Sequence, residues 1–233
     1  MHLWYVYFTN RFDYIKGGIV LGITQFQCPQ KLKNFSYLVT CEQSKKCAVV
    51  DPSFCGKQLL ETISTHDFDL QYILNTHDHH DHVHDNTLLK NNFHRAQIAC
   101  HPKIQDRSIT LEDEAELNLG QLKIKVIHTP GHTEGDLCFY VKNMLLTGDV
   151  LFVGKVGGTR TRESAFKQFH SLKKLTSLPD STEVLPGHNN GPKPTSTIGI
   201  EKTYNPFLLR LENFEDFWWL KENWQAFKRS HGL

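Results

Sequence analysis

The sequence predicts an α+β fold in which two mixed β-sheets pack together and helices cover their outer faces. Short apolar or alternating runs typical of strands occur in both halves of the 233-residue chain, and each half also contains segments with helical spacing. The chain contains no internal repeat, low-complexity tract or long linker, so one domain fits best. We assign that domain to residues 1–210 and treat residues 211–233 as an aromatic amphipathic helix packed on it.

The first half of the chain alternates between predicted strands and helices. A helix is predicted over Cys55–Thr65, because Leu59 and Ile63 lie one helical turn apart, and a shorter helix follows over Val83–Asn91. The strand segments are rich in Val, Ile, Leu, Phe and Tyr and are bounded by polar or turn residues. They are Ile19–Phe26, Phe35–Thr40, Cys47–Asp51, Gln71–Asn75 and Ile98–His101.

The second half begins with a hairpin pattern, since alternating apolar residues over Leu117–Ile127 flank a turn at Gly120. Ala165–Leu178 is predicted as an amphipathic helix with Phe166 on its apolar stripe. The remaining segments are strands over Leu137–Val141, Met144–Thr147 and Thr182–Leu185, a polar loop over Pro186–Thr197 and an aromatic helix over Phe214–Lys228. We expect the aromatic face of that helix to pack on the protein body or on a subunit partner, with coverage of the functional site as the alternative.

Charge and hydropathy exclude several classes of protein. Lys and Arg total 26 against 25 Asp and Glu, so the chain lacks the basic footprint of a nucleic-acid binder. No apolar run approaches the roughly 18 residues that span a membrane. The first residues, Met1 to Tyr5, lack the features of a signal peptide, and the six cysteines form no C-x-x-C pair. We therefore expect a cytoplasmic protein that binds neither nucleic acid nor membrane.

A cluster of histidines follows the predicted strand Gln71–Asn75. The chain has 14 histidines, and the segment after this strand contains the pattern H-x-H-x-D-H, formed by His77, His79, Asp81 and His82. Histidine is the commonest metal ligand in proteins. Because alternate residues of a loop leaving a strand can turn toward one point, this spacing predicts a metal site.

Three other segments carry matching residues at the ends of predicted strands. His132 follows the hairpin, Asp149 follows Met144–Thr147, and His188 follows Thr182–Leu185. A glycine stands beside each of the three residues, as expected where backbone turns tightly or approaches closely. We therefore expect four loops to bring these side chains together at one edge of the sheets.

Together these residues resemble the metallo-β-lactamase superfamily of metallohydrolases, over most of the chain from about Ile19 to Leu209. The resemblance implies a four-layer αβ/βα sandwich and a site for two divalent metal ions. One ion would be held by His77, His79 and His132, the second by Asp81, His82 and His188, with Asp149 as the bridge. Nitrogen and oxygen ligands suit zinc, the expected metal, and also iron.

The resemblance also implies the chemistry of the site. Two such cations lower the pKa of a shared water from about 15.7 toward 7, which provides a nucleophile at neutral pH. Asp149 and Asp81 are the residues to which we assign catalytic roles, Asp81 by holding the proton of the nucleophile. Asp51 matches a position that supports a ligand, with an Asp-Pro turn as the alternative, and Thr133 is a similar candidate.

Two branches of the superfamily remain open. The glyoxalase II branch hydrolyses thioesters with two metals, whereas the persulfide dioxygenase branch uses one Fe(II), which here would be held by His77, His132 and Asp149. Both share the segment Gly148–Phe152 with this chain. We predict a glyoxalase II-like hydrolase of a thioester or ester, with the dioxygenase as the alternative. A catalytically lapsed protein that binds metal and a partner is a third possibility.

The predicted substrate is a small molecule, with a thiol conjugate as one candidate. Glyoxalase II has lysine and tyrosine for glutathione where this chain has Gly158, Arg160 and Asn190, so recognition of glutathione stays open. Lys155, Arg160, Arg162 and Asn190 are the residues we assign to substrate contacts, since arginine binds carboxylates through two hydrogen bonds. A monomer or a homodimer is expected.

Overall fold

The structure, a computed structural model, describes residues 8–14, 20–28, 31–105 and 107–232. Its first sheet has seven strands in sequence order, antiparallel from the first to the fourth and parallel from the fourth to the seventh. These are β1 (Phe8–Tyr14), β2 (Val20–Gln27), β3 (Phe35–Cys41), β4 (Lys46–Val50), β5 (Asp69–Leu74), β6 (Gln97–Cys100) and β7 (Ile109–Thr110). Ile19, at the start of a predicted strand, lies outside the described residues.

The second sheet has six strands, in the order β15-β14-β11-β10-β9-β8, and β12 and β13 pair as a separate ribbon. The pair β11 and β14 is parallel, and the other neighbouring strands of this sheet are antiparallel. The strands are β8 (Glu116–Leu119), β9 (Leu122–His128), β10 (Leu137–Val141), β11 (Met144–Gly148), β12 (Leu151–Phe152), β13 (Lys155–Val156), β14 (Glu183–Pro186) and β15 (Ser196–Thr197).

Six α-helices flank the sheets within the described ranges, and a short 3-10 helix spans Leu208–Arg210. The helices are α1 (Gly56–Thr65), α2 (His80–Val83), α3 (Asn86–Asn92), α4 (Arg162–Thr176), α5 (Ile198–Tyr204) and α6 (Phe214–His231). None of them is long and apolar enough to cross a membrane, which holds for the described residues.

The alternation of side chains along each strand produces four layers. In β3, Leu38 packs outward with Leu59 of α1, whereas its neighbour Val39 packs inward in the same cluster as Phe139 of β10. The outer face of the second sheet likewise packs on α4 and α6, as the cluster containing Leu145 shows. The order is therefore helices, sheet, sheet, helices, and the predicted α+β four-layer sandwich is confirmed.

Two helical predictions differ from the structure. The segment Val83–Asn91 is divided, because α2 ends at Val83 and α3 begins at Asn86. On α4, Phe166 is 47% exposed, so it is not part of the buried stripe. Ala165 takes that position and packs in one cluster with Phe169.

The C-terminal helix α6 packs on α4 through its apolar face. Phe217 and Leu220 are fully buried, and the ring of Phe217 lies 5.5 Å from that of Phe169. Asn213 caps the start of the helix by accepting a hydrogen bond from the amide of Glu215. The aromatic face therefore packs on the protein body, while the domain boundary at residue 210 stays a prediction.

Candidate metal centre

The predicted ligands lie in loops that follow strands. Strands β4 and β5 run parallel, so the loops after them start side by side, and the second of these loops carries the H-x-H-x-D-H motif into α2. Strands β11 and β14 are also parallel, and the residues after them include Asp149 and His188. His132 follows the end of β9. The topology therefore brings distant parts of the chain to one place.

The first group of ligand atoms consists of three imidazole nitrogens. Nδ1 of His79 lies 3.0 Å from Nε2 of His77 and 3.0 Å from Nε2 of His132. His77 is fully buried at the end of β5, and the other two rings border an open cavity. These three residues form one of the groups in the described chain that could hold a metal ion.

The second group consists of two imidazoles and a carboxylate. Nε2 of His82 lies 3.2 Å from Nε2 of His188, and Oδ2 of Asp81 lies 3.5 Å from the same nitrogen of His188. The side-chain amide of Asn34 donates to this carboxylate oxygen at 3.0 Å. Asn34 is fully buried. It therefore helps to hold the Asp81 carboxylate in place.

Asp149 lies between the two groups. Its Oδ2 is 3.6 Å from Nε2 of His132 in the first group and 3.3 Å from Nε2 of His188 in the second. Its Oδ1 is 3.4 Å from Nε2 of His82. The structure thus brings together all seven residues that the sequence predicted as ligands, in the two groups that were expected.

The hydrogen bonds behind the rings point their other nitrogens at the cluster. Nδ1 of His132 donates to the carbonyl of Gly158, and Nδ1 of His188 donates to the carbonyl of Leu32, both at 2.8 Å. A neutral imidazole that donates through Nδ1 has a lone pair on Nε2. These lone pairs face the Asp149 carboxylate, and among the described residues no hydrogen-bond donor reaches its Oδ1. A divalent cation fits this set of donors.

Asp51 orients one histidine of each group. Its Oδ2 accepts hydrogen bonds from Nδ1 of His82, at 2.9 Å, and from Oγ1 of Thr76, at 2.6 Å. The Thr76 hydroxyl lies 3.0 Å from Nδ1 of His77 and accepts from it. Since Asp51 is buried and its backbone continues directly from β4, the ligand-supporting role matches the geometry better than a simple turn.

The pKa values follow from burial and the shared negative charge. Burial works against the charged form of Asp149, but when the rings are protonated, the charge of His82 and the hydrogen bond and charge of His188 outweigh burial and hold the pKa of that carboxyl well below its usual range. Burial also works against the imidazolium of His82, but the Asp149 and Asp51 carboxylates raise its pKa to about 9. Burial keeps the pKa of His77 well below its usual range. The Asp149 carboxylate therefore needs positive charge beside it. When the imidazole rings are neutral, a bound divalent cation would supply that charge.

Close backbone approach explains two glycines of the site. Gly148, directly before Asp149, has a φ of 49°, and a Cβ there would lie 2.4 Å from Oγ1 of Thr76. A Cβ at Gly157 would lie 1.8 Å from the carbonyl oxygen of Asp149. Both positions need a residue without a side chain if Asp149 is to keep its place.

Thr133 and the remaining histidines of the region have other partners. Oγ1 of Thr133 donates to Oδ1 of Asp136 at 2.6 Å, which fixes the loop after His132. His101 and His128 stack on each other with ring centroids 4.4 Å apart. None of these residues belongs to the metal-binding groups found in the described chain.

The predicted substrate residues lie at different distances from the cluster. Arg160 lines a cavity of about 540 Å³ that is also lined by His79 and His132. Arg162, in contrast, pairs with Glu215 of α6 and lies over the ring of Phe214, 5.0 Å from its centroid. Arg160 is thus beside the ligands, whereas Arg162 joins two helices.

Lys155 and Asn190 border a second cavity, also of about 540 Å³, next to α6. Trp224 and Lys228 of that helix line the same cavity. Burial and then the charge of Lys228 lower the pKa of Lys155. Two lysines close to an aromatic ring are an arrangement suited to an anionic group. From the sequence, Trp224 belongs to the aromatic face of the C-terminal helix and Lys228 ends that predicted helix, but neither was predicted as a substrate contact.

The two-sheet sandwich and the loop cluster define a class of proteins, the metallohydrolases with this fold. Residues 31–188, more than half of the chain, match the family model described as the metallo-beta-lactamase superfamily. The chain therefore belongs to the metallo-beta-lactamase superfamily. Members of this superfamily bind divalent metal ions, in agreement with the expected class of cofactor.

Curated relatives indicate the branch. A probable hydroxyacylglutathione hydrolase glo2 of Schizosaccharomyces pombe is 29% identical over 218 residues, covering 78% of this chain and 85% of that protein. A hydroxyacylglutathione hydrolase of Aeromonas hydrophila is 36% identical over 66% of this chain, and the match spans 61% of that protein. A probable polyketide biosynthesis zinc-dependent hydrolase, BaeB of Bacillus velezensis, is 34% identical, covering 71% of this chain and 77% of that protein. The prediction of a glyoxalase II-like metallohydrolase is thereby confirmed.

Solved structures agree with the fold. ETHE1 from Myxococcus xanthus has a TM-score of 0.77 at 25% identity, covering 93% of this chain and 90% of that one. The di-iron-bound form of TTHA1623 has a TM-score of 0.65 at 30% identity, covering 78% of this chain and 98% of that one.

Proposed function

We propose that this protein hydrolyses a small thioester or ester at a site for two divalent metal ions. The observation that carries the proposal is the position of Asp149, whose carboxylate lies within 3.6 Å of His132 in one group of ligands and of His188 in the other. A carboxylate placed in this way would help to hold a cation in each group. When bound, such cations activate water at neutral pH and polarise a carbonyl group.

The roles of the protein residues follow from their contacts. His77, His79 and His132 would hold one ion, Asp81, His82 and His188 the other, and the hydrogen bonds to Asp51, Gly158 and Leu32 would keep the rings aligned. The hydrogen bond from Asn34, together with the neighbouring histidines, lowers the pKa of Asp81 despite its partial burial. Asp81 is therefore ionised at neutral pH, where it can accept a hydrogen bond from an attacking water and hold that water in place.

Zinc is the metal we expect, with iron as the alternative, because all seven ligands offer nitrogen or oxygen. The name of BaeB, a zinc-dependent hydrolase, supports zinc, and the di-iron-bound form of TTHA1623 supports iron as an occupant of this fold. The number of ions is part of the proposal.

The substrate we propose is an anionic thioester, such as a thiol conjugate. The hydroxyacylglutathione hydrolases among the relatives support a thioester, and the cavity at His79 and His132 opens beside Arg160. Lys155 and Asn190 line a separate cavity beside α6, which we propose receives the far end of such a molecule. Arg162 stays a predicted contact only if its ion pair with Glu215 opens.

Metal content tests the proposal first. Protein purified without added metal is analysed by elemental mass spectrometry, and about two zinc ions, or zinc with iron, per chain would support a two-metal hydrolase. A panel of hydroxyacyl-glutathione and other acyl thioesters then identifies the substrate class. Roughly one iron with little zinc would overturn the two-metal proposal.

A mononuclear iron dioxygenase acting on a persulfide is the second candidate. It is favoured by the geometry of His77, His132 and Asp149, which form a set of two histidines and one carboxylate with the His132 and Asp149 side chains 3.6 Å apart. Oxygen uptake with a persulfide donor distinguishes it from the hydrolase.

Location and assembly belong to the same proposal. We expect a cytoplasmic enzyme that works as a monomer or a homodimer. Light scattering on the purified protein measures the mass in solution, and a value well above twice 26.9 kDa would contradict this expectation.

A further inference from the structure

Lys221 joins three separate segments of the fold. From the middle of α6, its Nζ donates to the carbonyl oxygen of Gly157 and to Oε1 of Gln168, each at 2.6 Å. Gln168 is fully buried on α4, and its Nε2 donates to the same Gly157 oxygen at 3.1 Å. The helices α4 and α6 and the loop after β13 therefore meet at one set of hydrogen bonds.

Lys221 is held in this place without a carboxylate partner among the described residues. Desolvation by itself lowers the pKa of its amine, to about 7. The rings of Phe207 and Phe217 lie beside the amine, with centroids 5.6 and 5.8 Å from Nζ. Burying an amine without a counter-ion costs free energy, so the two hydrogen bonds are the contacts that compensate for it.

The partners of Lys221 directly adjoin two metal-ligand candidates. Gly157 is pressed against the backbone of Asp149, and the next carbonyl, that of Gly158, accepts the hydrogen bond from Nδ1 of His132 at 2.8 Å. On the other side, Gly131 precedes His132 and lies so close to Gln168 that a Cβ on Gly131 would be 2.4 Å from Cβ of Gln168. Gln168 and the loop thus hold the His132 segment between them.

We propose that Lys221 is a positioning residue for the metal centre, which acts through Gly157 and Gln168 to fix the carbonyl that orients the ring of His132. Lys221 of the C-terminal helix then supports the metal centre from behind, although no residue of that helix is a candidate ligand. The role of Lys221 rests on the proposed function only for its effect on catalysis. The orientation of His132 and the affinity for metal can be measured without a substrate.

Lys221→Met tests this, since it keeps an unbranched side chain one atom shorter than lysine and removes both donated hydrogen bonds. Arg229→Met, at an exposed position of the same helix, is the matched control. We expect Lys221→Met to bind Zn²⁺ about 10- to 100-fold more weakly in competition with a chromophoric chelator, as for other residues behind metal ligands. The ¹⁵N-detected Nδ1–H signal of His132 should shift or broaden in the same variant, with the control unchanged in both measurements.

Lys221→Arg keeps a donor at the end of a long stem and should recover part of the lost affinity. This partial recovery would separate positioning from a general loss of packing, and the same variant serves if Lys221→Met does not fold. Wild-type affinity and an unchanged His132 signal in Lys221→Met, or equal losses in the methionine and arginine variants, would overturn the proposal. If the wild-type protein binds metal but hydrolyses no thioester, the proposed function fails while these measurements still decide the role of Lys221.

Discussion

Oδ2 of Asp51 lies 2.9 Å from Nδ1 of His82, and the same oxygen accepts a hydrogen bond from the hydroxyl of Thr76. That hydroxyl in turn contacts Nδ1 of His77. One buried carboxylate therefore sets the ring orientation of a histidine in each group of ligands. The position is made by the parallel pairing of β4 and β5, which places the residues after these strands next to each other. The φ of Asp51 is 48°, a conformation that aspartate tolerates better than most residues.

Asp51→Asn should weaken metal binding at both groups. An amide N–H group cannot accept the hydrogen bonds that His82 and Thr76 now donate to the carboxylate. The rings of His82 and of His77, which Thr76 contacts, would therefore lose their alignment. We expect the affinity for Zn²⁺ to fall about 10- to 100-fold, measured by chelator competition. Asp69→Asn, at an exposed position on β5, is the control. Loss of only one of two bound ions would show that Asp51 serves a single group.

Asp149→Asn should reduce thioesterase activity by at least about 100-fold and lower the metal content per chain. The reason is that a neutral amide cannot bridge two cations as a carboxylate does. Activity assays and elemental analysis on the same preparation measure both effects. A catalytically lapsed protein that only binds a partner would instead keep its partner affinity in this variant and show no hydrolysis in the wild type.

Gly157→Ala and Gly158→Ala form a matched pair. A Cβ at Gly157 would lie 1.8 Å from the carbonyl oxygen of Asp149, whereas within the described residues nothing lies within 4 Å of a Cβ at Gly158. We expect Gly157→Ala to lose metal and unfold at a lower temperature, by several degrees for a loss of about 2 kcal/mol. Gly158→Ala should match the wild type in both measurements. Equal behaviour of the two variants would mean that the loop adjusts freely.

Lys155→Met should raise the KM for anionic thioesters about 10-fold while changing kcat little. The half-buried Lys155 faces a cavity that also contains Lys228, and a charge-assisted hydrogen bond to an anion contributes roughly 1.5–3 kcal/mol. Steady-state kinetics with an anionic and a neutral thioester test this. Lys123→Met, at an exposed position paired with Glu116, is the control. An equal rise in KM for both substrates would argue against a charge contact.

The unfolding free energy should depend on pH through Lys221. Its pKa is about 7 in the folded protein and about 10.4 in an unfolded chain, so between these values the unfolded state binds the extra proton. Stability then rises with pH above about 7, by up to about 1.4 kcal/mol per pH unit, and the full cost of the buried charge is present below that pH. Denaturant unfolding of wild type and Lys221→Met from about pH 6 to about pH 9 measures the difference. Parallel curves would show that Lys221 is not desolvated.

The sequence predicted most of the longer strands and the seven candidate ligands because their signals are local, but it did not predict the seven-residue strand β1. Periodicity is visible within single segments such as Phe35–Cys41, and the spacing of His77, His79 and His82 fits a loop that leaves a strand. The two-residue strands β7, β12, β13 and β15 escaped prediction, since two residues show no periodicity. Helix α5 was missed as well, although Thr197 accepts a hydrogen bond from the amide of Ile200 as a typical N-cap.

The residues behind the ligands could not be predicted in the same way. Asn34 contacts Asp81 across 47 residues of sequence, and Lys221 contacts Gly157 across 64. Neither has a neighbour in sequence that marks it, and asparagine and lysine are common in loops and on helices. Such contacts depend on how whole layers pack, so they appear only when the fold is complete.

The sequence separation within the site also has a consequence for how the protein matures. His77, His79, Asp81 and His82 are neighbours in the chain, whereas His188 is 106 residues from its partner His82. A newly made chain thus has four of the seven candidate ligands before the second sheet is synthesised, and a short histidine-rich segment can capture a cation early. The complete centre forms only when both sheets have docked. Metal retention after chelation is therefore a measure of finished assembly, and a chain stalled before that step would exchange its ion readily.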